Sequence, residues 1–147
     1  MQYDTPSPVR LILDTNVVLD LLHFTDVGVL PILQALDDRR AQCYASINTL
    51  AELRRVLAYP EFKLDEIAQD ALFTRYQAWV GVVEAASTHV TLPRCRDPDD
   101  QMFLQLAASV HADYLVSKDK ALLVLKHHHG LEFKILTPTE AAALFAV

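Results

Sequence analysis

Val9-Arg10-Leu11-Ile12-Leu13-Asp14-Thr15-Asn16-Val17-Val18-Leu19-Asp20 is a short β-favouring run that breaks into three polar residues and at once resumes as a second apolar run. A run of mostly branched apolar residues suits a strand buried on both faces, as in the parallel sheets of α/β proteins. Asp14, Thr15 and Asn16 fall just past its carboxyl end. In open α/β sheets ligands sit at that edge, because strand ends and the amino ends of the following helices converge there. An anionic Asp14 so placed can bind a cation. Asp14 or Thr15 equally suits the cap of a helix from Val17 to Leu22, a common use of short polar side chains, and the segment alone leaves the two roles open.

The chain has 147 residues, which fits one ordinary domain able to bury most of its apolar surface without metals or disulfides as staples. Three Gly, seven scattered Pro and 52% hydrophobic residues, with no low-complexity tract, argue against disorder, repeats or a flexible linker, so no domain boundary is placed. Apolar runs break well before the roughly 18 residues a membrane helix needs. Met1 to Pro8 lacks the basic-then-apolar order of a signal peptide, and a cytoplasmic protein with no membrane partner is expected. Cys43 and Cys95 are too few for a disulfide framework and lack zinc-site pairing, so reduced, incidental thiols are expected. Arg94 and Arg96 flank Cys95, an arrangement that lowers a thiol pKa and raises its reactivity. The net charge of -6 argues against nucleic-acid binding through a broadly basic surface. That objection weakens if several acids share one metal, because bound ions reverse the local sign.

Along the chain, Val27 to Leu36 reads as a helix with Val29, Leu33 and Leu36 at helical spacing, and Asp37 to Arg40 as a solvated turn. Gln42 to Ser46 is a short second strand. Ser46 then caps a helix from Ile47 to Ala58 whose Leu50, Leu53 and Leu57 form an apolar stripe. Strand, helix, strand, helix is the order of parallel βαβ units. Glu52 lies beside that stripe and either serves a site or pairs with Arg54 or Arg55 as an ordinary exposed helix acid. Tyr59 and Pro60 end the helix. Leu64 to Val83 reads as a long further helix with Tyr76, Trp79 and Val83 along it, as core or dimer contact, and Thr88 to Leu92 as a third short strand or an edge.

Asp97 suits the cap and Pro98 the first position of the next helix, where Phe103, Leu106, Ala107 and Val110 repeat at helical spacing. Asp100 sits one turn before Phe103 on the same face, at the sheet-facing mouth. Tyr114 to Ser117 is another strand, and Asp119 repeats after it the position Asp14 takes after the first. His127, His128 and His129 are consecutive, do not face one way on a helix, and read as a solvated loop. Phe133 to Leu136 is a last strand, with Thr137 or Thr139 capping a terminal helix from Glu140 to Phe145.

Each acid taken singly has an ordinary explanation, but this topology brings Asp14, Asp100 and Asp119 to one sheet edge with Glu52 nearby. Two carboxylates about 4 Å apart repel by roughly 4 kcal/mol at an effective dielectric of 20, so such a cluster needs a cation or bound protons. An all-oxygen site suits Mg²⁺ or Mn²⁺.

The motifs Leu-Ile-Leu-Asp-Thr-Asn at 11 to 16, Ala-Glu-Leu at 51 to 53, Asp-Pro-Asp-Asp-Gln-Met-Phe-Leu at 97 to 104 and Asp-Tyr-Leu-Val-Ser-Lys-Asp at 113 to 119 occur in this order over nearly the whole chain. In them the chain resembles the PIN-domain family of small α/β metal-dependent nucleases. The closing Ile-Leu-Thr-Pro-Thr-Glu at 135 to 140 is similar to the branch of toxins from toxin-antitoxin pairs. The resemblance implies a three-layer α/β/α fold with a central, mostly parallel sheet of four or five strands, and cleavage of single-stranded RNA or structured RNA loops. It places Asp14, Glu52, Asp100 and Asp119 on the catalytic, metal-holding acidic positions, with Thr15, Asn16 and Ser117 in support and Asp97 either capping or joining the metal shell. It also implies an RNA substrate and a cognate antitoxin as partners, and the aromatic row of the long helix adds a homodimer as a further expectation.

One or two Mg²⁺ or Mn²⁺ ions at such a site promote in-line attack of water on phosphorus. Arg54, Arg55, Lys118 and Lys120 are the candidate cations for gripping RNA. Two other classes stay open. A phospho-receiver module would need a Lys beside its acids, which Lys118 fits loosely. A non-catalytic interaction module would use the Tyr76, Trp79, Val83 row.

Overall fold

A computed structural model describes residues 7–24, 27–84 and 91–146. Five parallel strands, β1 (Val9–Leu13), β2 (Ala41–Ala45), β3 (Val80–Val82), β4 (Tyr114–Val116) and β5 (Lys134–Leu136), lie in the order β3-β2-β1-β4-β5. The chain therefore builds outward from β1 through β2 to β3, then returns to the other side of β1 for β4 and β5. This reversal puts a crevice at the carboxyl ends of β1 and β4, where α/β sheets hold ligands.

Alternation along the strands divides the interior in two. Leu11, Leu13, Cys43, Ala45 and Val116 pack into one apolar cluster and Ile12, Leu115 and Ile135 into another. The first is covered by α1 (Thr15–Leu19), α2 (Leu30–Asp37), α3 (Ile47–Leu57), α4 (Glu66–Gln77) and α7 (Pro138–Phe145). The second is covered by α5 (Gln101–Ser109) and α6 (Lys120–Leu123). Strands buried on both faces account for the apolar runs Leu11 to Leu13 in β1 and Leu115 to Val116 in β4. Among the described residues no single helix is long and apolar enough to cross a membrane.

Local chemistry starts the helices where short polar residues stand. Ser46 Oγ accepts from Thr49 N at 3.2 Å while Thr49 Oγ1 accepts from Ser46 N at 2.9 Å, a reciprocal cap of α3. Thr137 and Glu140 make the same closure at α7, which settles the cap on Thr137 and starts the helix at Pro138, two residues before the expected Glu140. Asp65 caps α4 through Ala68 N at 2.8 Å, so that helix begins at Glu66 and not at Leu64. α1 begins at Thr15, before the expected Val17, because Asp14 is its cap, and it runs on as a π-helical turn over Asp20–Phe24. The helix expected from Val27 opens as a 3-10 turn over Val27–Val29.

The long helix expected from Leu64 to Val83 is a correction. It ends at Gln77, and Val80–Val82 forms the edge strand β3 against Cys43, Tyr44 and Ala45. Two β-branched valines favour the pleated edge over a helix end. Gly81 lets that edge approach closely, since a Cβ there would lie 3.2 Å from the Tyr44 ring. The strand expected at Thr88 to Leu92 has residues 88–90 outside the described residues, and Thr91 and Leu92 are not in a strand. Tyr76 is core, 4% exposed, with its hydroxyl 3.5 Å from Cys43 Sγ, and Trp79 is half-buried beneath the Arg75 guanidinium.

Cys95 also departs from expectation. It is buried, its Sγ donates to Ala121 O at 3.5 Å, and burial followed by the charges of Asp100 and Asp119 raises its thiol pKa, opposite to the effect expected of Arg94 and Arg96. It is an inert core thiol.

Leu115, fully buried in β4, tests the sheet's two-sided packing. Leu115→Ala should cost about 2–5 kcal/mol of unfolding free energy, read from urea denaturation followed by circular dichroism.

Candidate active site

The crevice at the β1/β4 switch is a cavity of about 280 Å³ lined by Asp14, Thr15, Asn16, Glu52, Asp100 and Asp119. All four expected acids thus meet in one place. Asp14 is 4% exposed and fills both roles left open for it, since its Oδ1 accepts from Val17 N at 3.0 Å while its other oxygen accepts from Ser117 Oγ. Burial raises the Asp14 pKa, and the hydrogen bonds from Ser117 and Val17 hold that rise in check.

Ser117 is the joint between the strands. Fully buried at the end of β4, it donates to Asp14 and accepts from Asp119 N at 2.9 Å. Asp119 in turn caps α6 through Ala121 N at 2.9 Å. Parallel pairing sets this register, with Leu13 opposite Val116 and Asp14 N donating to Val116 O at 3.0 Å. Glu52 reaches in from α3. Its Oε2 accepts from Thr15 Oγ1 at 2.6 Å, its Oε1 lies 3.5 Å from Arg55 Nη2, and only 14% of its side chain is exposed. Thr15 therefore fixes Glu52 beside the mouth.

Asp100 ends a 3-10 turn over Pro98–Asp100 that Asp97 caps through Asp99 N at 3.0 Å. Its Oδ2 is buried with no hydrogen-bond partner among the described residues. Such an atom is costly unless a proton or cation satisfies it. Oxygens of Asp97, Asp100 and Asp119 lie within 4.8 Å of one another, so Asp97 both caps and joins the acidic group. Desolvation first, then a proton shared with Asp119 and the charges of Asp119, Asp97 and Asp14, pushes Asp100 up to about 8. The same sharing lowers Asp119. The donor set is all oxygen, crowded, and one member is unsatisfied, which fits a hard divalent cation.

Of the expected RNA-gripping cations, Arg54 is turned away, its guanidinium paired with Asp70 and lying 4.0 Å from the Phe73 ring centroid on α4. A guanidinium gains more over that ring than in open solvent. Arg55 is tied to Glu52, and Lys118 to Asp20 at 2.7 Å. Lys118 is thereby committed away from the role a phospho-receiver would require of it. Lys120 is exposed and has no partner among the described residues.

Sequence reasoning missed the outer wall of the cavity, formed by Val56, Tyr59, Glu61 and Phe62. The signal was present. Glu52, Val56 and Tyr59 stand at i, i+4 and i+7, one face of α3 continued into its C-terminal turn.

Residues 10–121 match the PIN domain family. This chain belongs to the PIN-domain family. No curated protein matches it. Among solved structures this PIN domain resembles a chain of VapBC2 from Rickettsia felis, a complex bound to a DNA fragment from their promoter, with a TM-score of 0.62 at 12% identity. The likeness covers 88% of this chain and 98% of that one and is a likeness of fold.

The state of Asp100 has a consequence for stability. Its pKa in the folded PIN domain, about 8, exceeds the ordinary 3.8, so between those values the folded state holds a proton the unfolded chain has released. The stability this contributes is complete below the ordinary value and lost as pH rises through the folded one. Asp14 shifts the same way, whereas lowered Asp119 acts below the window. In chelator the melting temperature should fall as pH rises from about 4 to about 8, and Asp100→Asn should flatten that fall. A melting temperature of the parent protein that does not fall across this window would refute the assignment.

Proposed function

We propose that this PIN domain is a metal-dependent endoribonuclease of the cytoplasm and the toxin of a toxin-antitoxin pair. The observation that carries the reading is the buried, unpartnered Asp100 Oδ2 beside Asp97 and Asp119, in the cavity that also holds Asp14 and Glu52. Asp14, Asp100 and Asp119 would hold Mg²⁺ or Mn²⁺, with Glu52 as a further ligand or the group that orients water. A divalent cation bound there supplies charge neutralisation at the phosphodiester and a water of lowered pKa.

The protein's own part is to hold these groups still. Val17 N and Ser117 Oγ fix Asp14, Thr15 Oγ1 fixes Glu52, and Ala121 N fixes Asp119. A side chain locked by a neighbour loses little freedom when substrate arrives, which is how a rigid site lowers a barrier. Asn16 lines the same mouth, and its amide would donate to a phosphate oxygen. VapBC2 is a complex, and a homologous arrangement here is a cognate antitoxin that covers the acidic mouth, offering it an Arg. Homodimer formation belongs to the same reading.

RNA pools incubated with the wild type, Asp14→Asn and Asp100→Asn in Mn²⁺, Mg²⁺ and EDTA test the nuclease. Cleavage should occur with the wild type in metal alone. Either substitution should reduce it by more than the about 10–100-fold typical of losing an outer-shell partner, the range expected for Thr15→Val. Equal cleavage by wild type and Asp14→Asn would trace the activity to a contaminant.

A further inference from the structure

The mouth that holds the carboxylates continues outward into an aromatic wall. Tyr59 and Phe62 lie with their rings 4° from parallel and their centroids 6.4 Å apart, and both line the same cavity as Asp14 and Asp100. Phe62 is the anchored member, packed against the larger core cluster and edge-on to His23 at 6.2 Å. Tyr59 is the outer one, 38% exposed.

The turn that carries them is stiff. Pro60 fixes its own φ, Phe62 N donates to Tyr59 O and Lys63 N to Pro60 O, each at 3.1 Å, and Lys63 closes the turn with φ of 53°. Glu61, between the rings in sequence, lines the same cavity.

The chain carries -6 net charge, and Arg54, Arg55 and Lys118 are each paired with an acid of the protein. That leaves few cations for phosphate beside the site, the exposed Lys120 and Arg96 among them, whereas stacking of bases on aromatic rings needs no cation. We propose that Tyr59, backed by Phe62, stacks an unpaired nucleobase next to the scissile phosphate and that Glu61 accepts from the amino edge of that base. The assignment rests on the nuclease reading and adds its specificity-determining residues.

The chemistry of Glu61 makes the choice of base directional. Cytosine, adenine and guanine each present an exocyclic amino donor, which a carboxylate accepts. Uracil presents a single N–H between two carbonyl oxygens, and these repel a carboxylate. An amino-bearing base is favoured over uracil.

The test measures binding of short fluorescein-labelled single-stranded A, C and U oligonucleotides, and of an abasic strand with the same number of phosphates, by anisotropy in Ca²⁺, with cleavage followed separately in Mn²⁺. Tyr59→Ala should weaken binding of the base-bearing strands by about 5- to 150-fold. Tyr59→Phe should bind as the wild type does, and the abasic strand should not distinguish any of them. Glu61→Gln should narrow the gap between U and the A and C strands. Thermal melts by circular dichroism check that each variant is folded.

Wild-type cleavage with Tyr59→Ala binding every strand as tightly as the parent would overturn the stacking role and leave the nuclease standing. Equal wild-type affinity for U, A and C would overturn the role of Glu61. Neither binding nor cleavage by the wild type would overturn the nuclease reading itself and this inference with it.

Discussion

Carboxylate crowding at the carboxyl ends of β1 and β4 is the constraint on which the arrangement of this PIN domain turns. Asp14, Glu52, Glu61, Asp100 and Asp119 line a single mouth with Asp97 beside the last two, and each pair at contact distance repels by several kcal/mol unless something intervenes. The fold handles them unequally. Asp14, Glu52 and Asp119 are all satisfied by protein donors, from Val17 and Ser117, from Thr15, and from Ala121. Asp100 keeps one buried oxygen that is not. The three satisfied acids form a frame held by protein donors, and Asp100 is the acid whose buried oxygen calls for a proton or a cation.

Much of this was readable because strand, polar break and helix succeed one another in the chain. β1, β2, β4 and β5 stand where branched or apolar runs stand, and Ser46, Asp97 and Thr137 cap helices as short polar residues do. The edge strand β3 was not readable, because Trp79, Val80 and Val83 continue a helical spacing from α4, and only pairing with Cys43 to Ala45 decides for a strand. Tertiary contact overrode periodicity there. Cys95 went the same way. Its sulfur meets Ala121 O in the core, so burial and not its arginine neighbours in sequence set its chemistry.

The site itself was legible as a set of residues and not as a set of directions. For Asp14, capping and function were posed as alternatives, yet a carboxylate has two oxygens with several acceptor positions between them, and one side chain does both. For Arg54 and Glu52, two residues apart on α3, sequence could not say which turns to the mouth. The helix sends them opposite ways, Glu52 to Thr15 and Arg54 to Asp70 and Phe73. Once Glu52 faces in, Val56 and Tyr59 must follow it on the same face.

Lys118 shows why a cation next to an acid of the mouth in sequence need not serve it. It lies between Ser117, which holds Asp14, and Asp119. Along a strand end, alternate residues point to opposite sides, so Ser117 and Lys118 cannot both face the mouth. Lys118 instead reaches Asp20, on the π-helical turn that follows α1, whose side chain is only 10% exposed. Removing the lysine would strand a nearly buried charge, so the pair is a structural tie. The segment after β1 is thus fastened to the segment after β4 twice, by Asp14 to Ser117 on the mouth side and by Asp20 to Lys118 on the other. Two ties on either side of α1 resist both translation and rotation of that helix. Thr15, which positions Glu52, lies between the two ties, so both of them act with the buried Val17, Val18 and Leu19 to hold Glu52 at the mouth.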